Sequence, residues 1–209
     1  MGIKGLSKFL QTNCPGAFRQ YLISAFAGKR IAIDLSTWVH ANFAIARKNR
    51  TNSTDVITES VDREAVDEDV IRALGYFTLK FLDAGITPVF VKDGKAPAEK
   101  DNLRSERKAI KDGHIEKALR LRREIDIMDP LEVTSEKEEE YRKALYSSGE
   151  VTFNLVNRIC LLLHNAGICV LEAMGEAEKL CSMMCIEGRV SAVFSTDTDN
   201  LVYGCPLLI

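Results

Sequence analysis

A chain of 209 residues with 46% hydrophobic and 28% charged content has the make-up of a folded domain and the length for one sizeable core. It contains no apolar run of membrane-spanning length, and its start, MGIKGLSKFL, lacks the apolar stretch of an export signal. The formal net charge of −2 selects no partner, so any electrostatic signal lies in how the charges are distributed.

The first 33 residues hold no acid, whereas Lys4, Lys8, Arg19, Lys29 and Arg30 are basic. RIAIDLS (30–36) then reads as a strand buried on both sides, ending in Asp34. Residues 43–70 read as a polar, mobile loop; seven acids and one arginine fall in 55–69. IRALGYFTLKFLDAG (71–85) reads as a helix and TPVFVKD (87–93) as a second strand. A connection of more than seventy residues follows, far longer than such folds need. Within it, 95–123 holds ten Lys or Arg against five acids, and 124–140 holds eight acids against one Lys. We expect residues 96–150 to form a charged helical insertion inside one domain spanning 1–209. TFNLVNRICLLLHNAG (152–167), GICVLEA (167–173), GEAEKLCSMMCIEG (175–188) and SAVFSTD (191–197) continue as helix, strand, helix, strand. Strands alternating with helices predict an α/β fold with a mainly parallel sheet. Gly85, Gly167 and Gly188 fit helix C-terminal caps. The six cysteines, without an export signal, read as reduced, intracellular thiols. Cys181 and Cys185 complete no zinc pattern and read as buried and apolar.

Carboxylates recur at the carboxyl ends of these strands, where parallel α/β sheets gather functional groups. Asp34 and Asp93 end the first two strands, and Glu176 and Glu178 open the helix after the third. Asp197 ends the fourth, with Asp199 two residues on. If that segment is extended, both of its side chains face one side. Six close carboxylates raise each other's pKa, and a hard divalent cation relieves them. Oxygen donors without His or Cys suit Mg²⁺ or Mn²⁺. Six exceed what one Mg²⁺ needs, so a pair of ions about 4 Å apart is the natural expectation, an arrangement suited to phosphodiester cleavage.

Five blocks in order then resemble the flap endonuclease or XPG-type structure-specific 5′ nucleases: MGIKGLSKFL, IAIDLSTWVHAN, PVFVKDGKAP, GEAEKLC and STDTDNLVYG. The resemblance covers the chain end to end. It implies a three-layer PIN-like domain in which the insertion is the family's helical arch. It assigns Asp34, Asp93, Glu176 and Glu178 to a first Mg²⁺ site, with Glu178 shared with a second site holding Asp197 and Asp199; Mn²⁺ can substitute. It places Gly2 beside bound DNA and His40 where the family stacks a residue at the bend between duplexes, while Trp38 reads as core. Arg104, Arg107, Lys108 and Lys111 share one helix face, Lys108 and Lys111 as DNA contacts. Lys100 with Arg107 keeps the family's phosphate-holding spacing, and Arg104 keeps its local motif; a solvated basic helix is the alternative for each.

The expected partner is DNA with a 5′ flap, end or junction, acted on in replication or repair by a monomer with no membrane association. The compartment is nuclear if the source is eukaryotic. Met174 stands where the family usually has Pro, and the acids of 132–140 are unusual for an arch that passes DNA. The family's seventh aspartate, its helix–two-turn–helix region and a clamp-binding tail are not found before Ile209. GCPLLI reads as the start of another strand or as an end that leaves the last strand unpartnered. Two further readings stay open: a non-catalytic nucleic-acid-binding relative or inactive fragment of a longer nuclease, and a general Mg²⁺ phosphohydrolase on a similar sheet.

Overall fold

Arg30–Asp34 is an inner strand, paired on both sides within the sheet. The computed structural model describes residues 3, 5–95, 101–129 and 132–209, the side chains of 101–104 excepted. Its described elements are α1 (Leu6–Asn13), β1 (Arg30–Asp34), α2 (Leu35–Ser53), α3 (Arg63–Asp83), β2 (Thr87–Lys92), α4 (Asp101–Asp126), α5 (Ser135–Ser147), α6 (Phe153–Asn165), β3 (Cys169–Glu172), α7 (Ala177–Ile186), β4 (Ala192–Phe194) and α8 (Asp199–Val202). The strands form a parallel sheet in the order β3-β2-β1-β4. No described helix is long and apolar enough to cross a membrane. The chain divides into two compact units, one of Met1–Val39, Ala73–Pro97 and Val156–Ile209, the other of His40–Arg72 and Ala98–Leu155.

The first unit contains the sheet, and the two-residue alternation of its strands sorts side chains onto two faces. Ala32, Val89, Val91 and Val193 turn to one face and pack with Ala177, Cys181 and Cys185 of α7. The other face carries aromatic rings. Phe77 of α3 lies 6.5 Å from Phe90, 5.1 Å from Phe194 and 4.6 Å from Phe81, centroid to centroid, with Trp38 of α2 at 5.5 Å. Helices therefore cover both faces, which makes three layers, and Trp38 is core as expected. β3 is only partly buried, because as an edge strand it lacks a neighbour on one side. β4 is not an unpartnered edge: Val193 and Ser195 donate N–H bonds to Leu207 and Ile209 carbonyls, and Ile209 N–H returns one to Val193. Gly85, Gly167 and Gly188 all have positive φ, near 70°, the left-handed cap their positions predicted.

The second unit overturns the expectation of a mobile loop over 43–70. α2 continues to Ser53 and α3 begins at Arg63. The turn between them carries Val56, fully buried with Leu121, Ile125, Tyr141 and Ala144. Its backbone carbonyls are satisfied by two arginines. Arg122 donates to Val56 and Ile57 oxygens at 3.0 and 3.1 Å, and Arg142 to Thr54 O at 2.9 Å and to Thr51 O. The segment's polarity misled because its partners are cations distant in sequence. Several acids of 124–140 are likewise engaged: Glu140 with Lys117 (2.8 Å), Glu124 with Lys137 (2.7 Å) and Glu138 with Arg142 (2.6 Å). Thr134 caps α5 by accepting the Lys137 N–H. Arg47 donates to Leu145 O near the end of α5, and a Cβ on Gly149 would lie 2.1 Å from Arg47 Cδ.

Phe90 is fully buried, with the Phe77 ring against it. Phe90→Ala is expected to lower unfolding free energy by about 3–5 kcal/mol in urea denaturation, the range for emptying an aromatic core site.

Candidate metal centre

β1 ends in Asp34, which is 1% exposed. Its Oδ1 accepts the Thr37 N–H at 3.0 Å, so it caps the first turn of α2. Its Oδ2 accepts the Ser195 hydroxyl at 3.3 Å. Burial still pushes its pKa up, and the Asp93 charge adds to this, against the bonds from Thr37 and Ser195.

Asp93 directly follows β2, and its Oδ1 accepts the Ala177 N–H at 2.8 Å, a carboxylate at a helix N-terminus. That contact needs the 93–95 and 173–177 backbones close together. Gly94 N–H donates to Gly175 O at 2.8 Å, and a Cβ at Gly94 would sit 1.8 Å from the Ala173 carbonyl oxygen. Only glycine fits this approach. α7 starts after Glu176, whose Oε2 accepts the Tyr203 hydroxyl at 3.1 Å, and Glu178 lies in its first turn.

Asp197 and Asp199 do not lie on an extended segment. β4 ends at Phe194, Thr198 is helical and Asp199 opens α8. The chain turns instead, and Asp197 Oδ1 accepts the Asp199 N–H at 2.9 Å. The turn still brings both carboxylates together: ligand oxygens of Glu178, Asp197 and Asp199 all lie within 4.8 Å of one another. Asp197 is 6% exposed. Burial, then the charges of Glu176, Asp34 and Asp93, push the Glu178 pKa up to about 7.

This donor set is oxygen only and partly withdrawn from water, which fits a hard divalent cation. The neighbouring thiol of Cys181 does not compete as a donor: it is buried in the apolar cluster, and burial pushes its pKa up.

Among the other candidates, Gly2 and Lys100 lie outside the described residues, as does the side chain of Arg104. Arg107 and Lys108 are exposed on α4, and His40 is exposed on α2. Lys111 pairs with Glu150. The sequence reading missed Ser195, which joins Asp34 to the Asp197 N–H (3.1 Å), and Thr198, whose hydroxyl accepts the Ile3 N–H (3.1 Å). It also missed Tyr203. The signal available for all three was their place inside or beside the STDTDNLVYG block.

Two outcomes test this geometry. Gly94→Ala is expected to weaken divalent-cation binding at least tenfold by displacing Asp93 from α7, measured by calorimetric titration. In EDTA, a Glu178 held at about 7 rather than its ordinary 4.5 favours the protonated folded state. Its stabilising share is complete below about 4.5 and is lost as pH rises through about 7. The melting temperature should fall across that window, less in Glu178→Gln, and saturating Mg²⁺ should flatten the fall.

Comparison with known proteins places the chain in a family. The chain matches the XPG N-terminal domain over residues 1–114 and the XPG I-region over 167–209. It is 35% identical over 214 residues to flap endonuclease 1 of Cryptosporidium muris, covering 100% of this chain and 41% of that protein. The catalytic core of Rad2 in complex with DNA substrate superimposes with a TM-score of 0.60 at 23% identity, covering 96% of this chain and 49% of that one. Flap endonuclease-1 from Methanococcus jannaschii gives 0.56 at 25% identity, covering 91% and 55%. The chain thus spans about half the length of such relatives, and its α/β fold is the PIN-like nuclease fold of these neighbours. On the extent of the N-terminal match, with the I-region match beside it, the chain belongs to the XPG-type family that includes the flap endonucleases.

Proposed function

We propose that this chain carries the metal-dependent centre of a structure-specific 5′ nuclease that hydrolyses DNA phosphodiesters at 5′ flaps, ends or junctions in replication or repair. The observation that carries the reading is the convergence of Glu178, Asp197 and Asp199 oxygens within 4.8 Å, beside the charges of Asp34 and Asp93. Asp34, Asp93, Glu176 and Glu178 would hold one Mg²⁺, and Glu178, Asp197 and Asp199 a second; Mn²⁺ would serve in place of either. Bound divalent cations supply Lewis acidity, lowering the pKa of water and offsetting charge on phosphate oxygens.

The chain's own residues set the geometry. Asp34 and Asp93 are fixed by backbone N–H donors, so their carboxylates are preorganised rather than recruited. Resemblance alone supports Lys100 with Arg107, or Arg104, as the cations that steady the scissile phosphate. It likewise supports Gly2, His40, Lys108 and Lys111 as DNA contacts, with Lys111 first released from Glu150. Hydrolysis would leave a 5′-phosphate on the product. Phosphate contacts of this kind make binding fall with added salt. A single domain over 1–209 with an arch at about 96–150, acting as a nuclear monomer in a eukaryotic source, completes the proposal.

The test is cleavage of a labelled 5′-flap DNA in Mg²⁺, wild type beside Asp197→Asn. Cutting near the junction by the wild type, reduced by about 10³-fold or more in the variant, is the expected result for loss of a group that acts in the transition state. Equal flap binding by both proteins with no cutting by either would instead favour a non-catalytic binding relative or a fragment inactive alone. Cleavage indifferent to flap length would favour a general phosphohydrolase.

A further inference from the structure

Behind the carboxylates lies a fully buried polar pair. Asn200 and Ser182 are both 0% exposed. Asn200 Nδ2 donates to the Asp197 carbonyl oxygen at 3.0 Å. The Ser182 hydroxyl lies 3.1 Å from Asn200 Oδ1 and 3.2 Å from the Asn200 carbonyl oxygen. Ser182 sits one helical turn beyond Glu178 on α7. The pair therefore joins two segments: the helix that opens with Glu176 and Glu178, and the turn that carries Asp197 and Asp199.

Burying an amide and a hydroxyl where aliphatic groups would pack brings a cost unless every polar atom is bonded. Here each of these side-chain polar atoms has a partner, and a hydrogen-bonded buried network fixes one arrangement where apolar packing tolerates several. On the opposite side the same turn is held by Ser195, which accepts the Asp197 N–H and donates to Asp34. Both backbone polar groups of Asp197 are thus held by side chains, its N–H by Ser195 and its carbonyl by Asn200. Nothing in the apolar packing of α7 requires this, since Ala177, Cys181 and Cys185 already fill its face on the sheet.

The geometry points to Asn200, with Ser182, as a positioning residue that sets the spacing between Glu178 and the Asp197–Asp199 turn, and so the affinity for the cation those three carboxylates share. This rests on the metal-centre reading and adds to it a residue that touches neither metal nor substrate. The network transmits the placement of α7 to the turn; it supplies no ligand itself.

The experiment separates positioning from folding. Removing one partner leaves a buried polar group unpaired, whereas replacing both with apolar groups of similar shape can be nearly neutral for stability. The double variant Ser182→Ala/Asn200→Leu removes both members of the Ser182–Asn200 bond but leaves the Asp197 carbonyl without its side-chain donor, so in EDTA it should still unfold cooperatively, at a modestly lower melting temperature. Its Mn²⁺ binding, followed by electron paramagnetic resonance, should be weaker by about tenfold at one site, in the range for loss of a group that orients ligands. Ser182→Ala alone should show the same loss of affinity with a lower melting temperature. Wild-type Mn²⁺ affinity in either variant overturns the inference while leaving the centre intact. If Asp197→Asn, run alongside, also binds Mn²⁺ as the wild type does, the metal-centre reading fails and the inference fails with it.

Discussion

A carboxylate at the end of the middle of a sheet must be satisfied by its surroundings, and much of the first unit is arranged around that need. Asp34 is nearly inaccessible to water, so its oxygens take what the fold offers: the first turn of α2 on one side and Ser195 beyond β4 on the other. Asp93 is exposed but anchored to α7 in the same fashion. Burial first, and the charge of neighbouring carboxylates after it, raises the pKa of both Asp34 and Glu178. Carboxylates gathered in this way favour a cation among them. The backbone N–H groups and hydroxyls set where that cation is held.

The parallel sheet is what makes the arrangement possible. All four strands run the same way, so their carboxyl ends lie on one edge, and each connecting segment begins there. Helix starts supply N–H donors at that edge, as α2 does for Asp34 and α7 for Asp93. A close approach between strand ends is needed as well, and Gly94 permits it against the Ala173 carbonyl. The glycine and the aspartate before it are one device.

Much of this was legible in the residues. Short Val- and Ile-rich runs marked all four strands, since a strand covered on both faces has no reason to alternate. Glycines marked the helix ends by the same local logic. The pairing of Asp197 with Asp199 was legible from spacing, yet by the wrong route: the segment turns rather than extends, and a hydrogen bond within the turn brings the oxygens together. Two things were hidden. The order of residues 43–70 depends on Arg122 and Arg142, about seventy to ninety positions away, which no local pattern reports. The Asn200–Ser182 pair was hidden for the opposite reason: two small polar residues in an apolar helix and a short turn look like tolerated surface until their burial is known.

The α4–α5 pairing carries a different lesson. Its apolar seam of Ala118, Leu121 and Ile125 against Tyr141 and Ala144 is flanked by ion pairs whose signs are divided between the helices, Lys117 with Glu140 and Glu124 with Lys137. Exposed pairs of this kind contribute little energy singly, but they discriminate strongly against the wrong neighbour, because like charges placed opposite repel. The two helices are thus a matched set. In a chimaera with a relative they would be exchanged together, since grafting either one alone would set unrelated charges against each other along the whole seam.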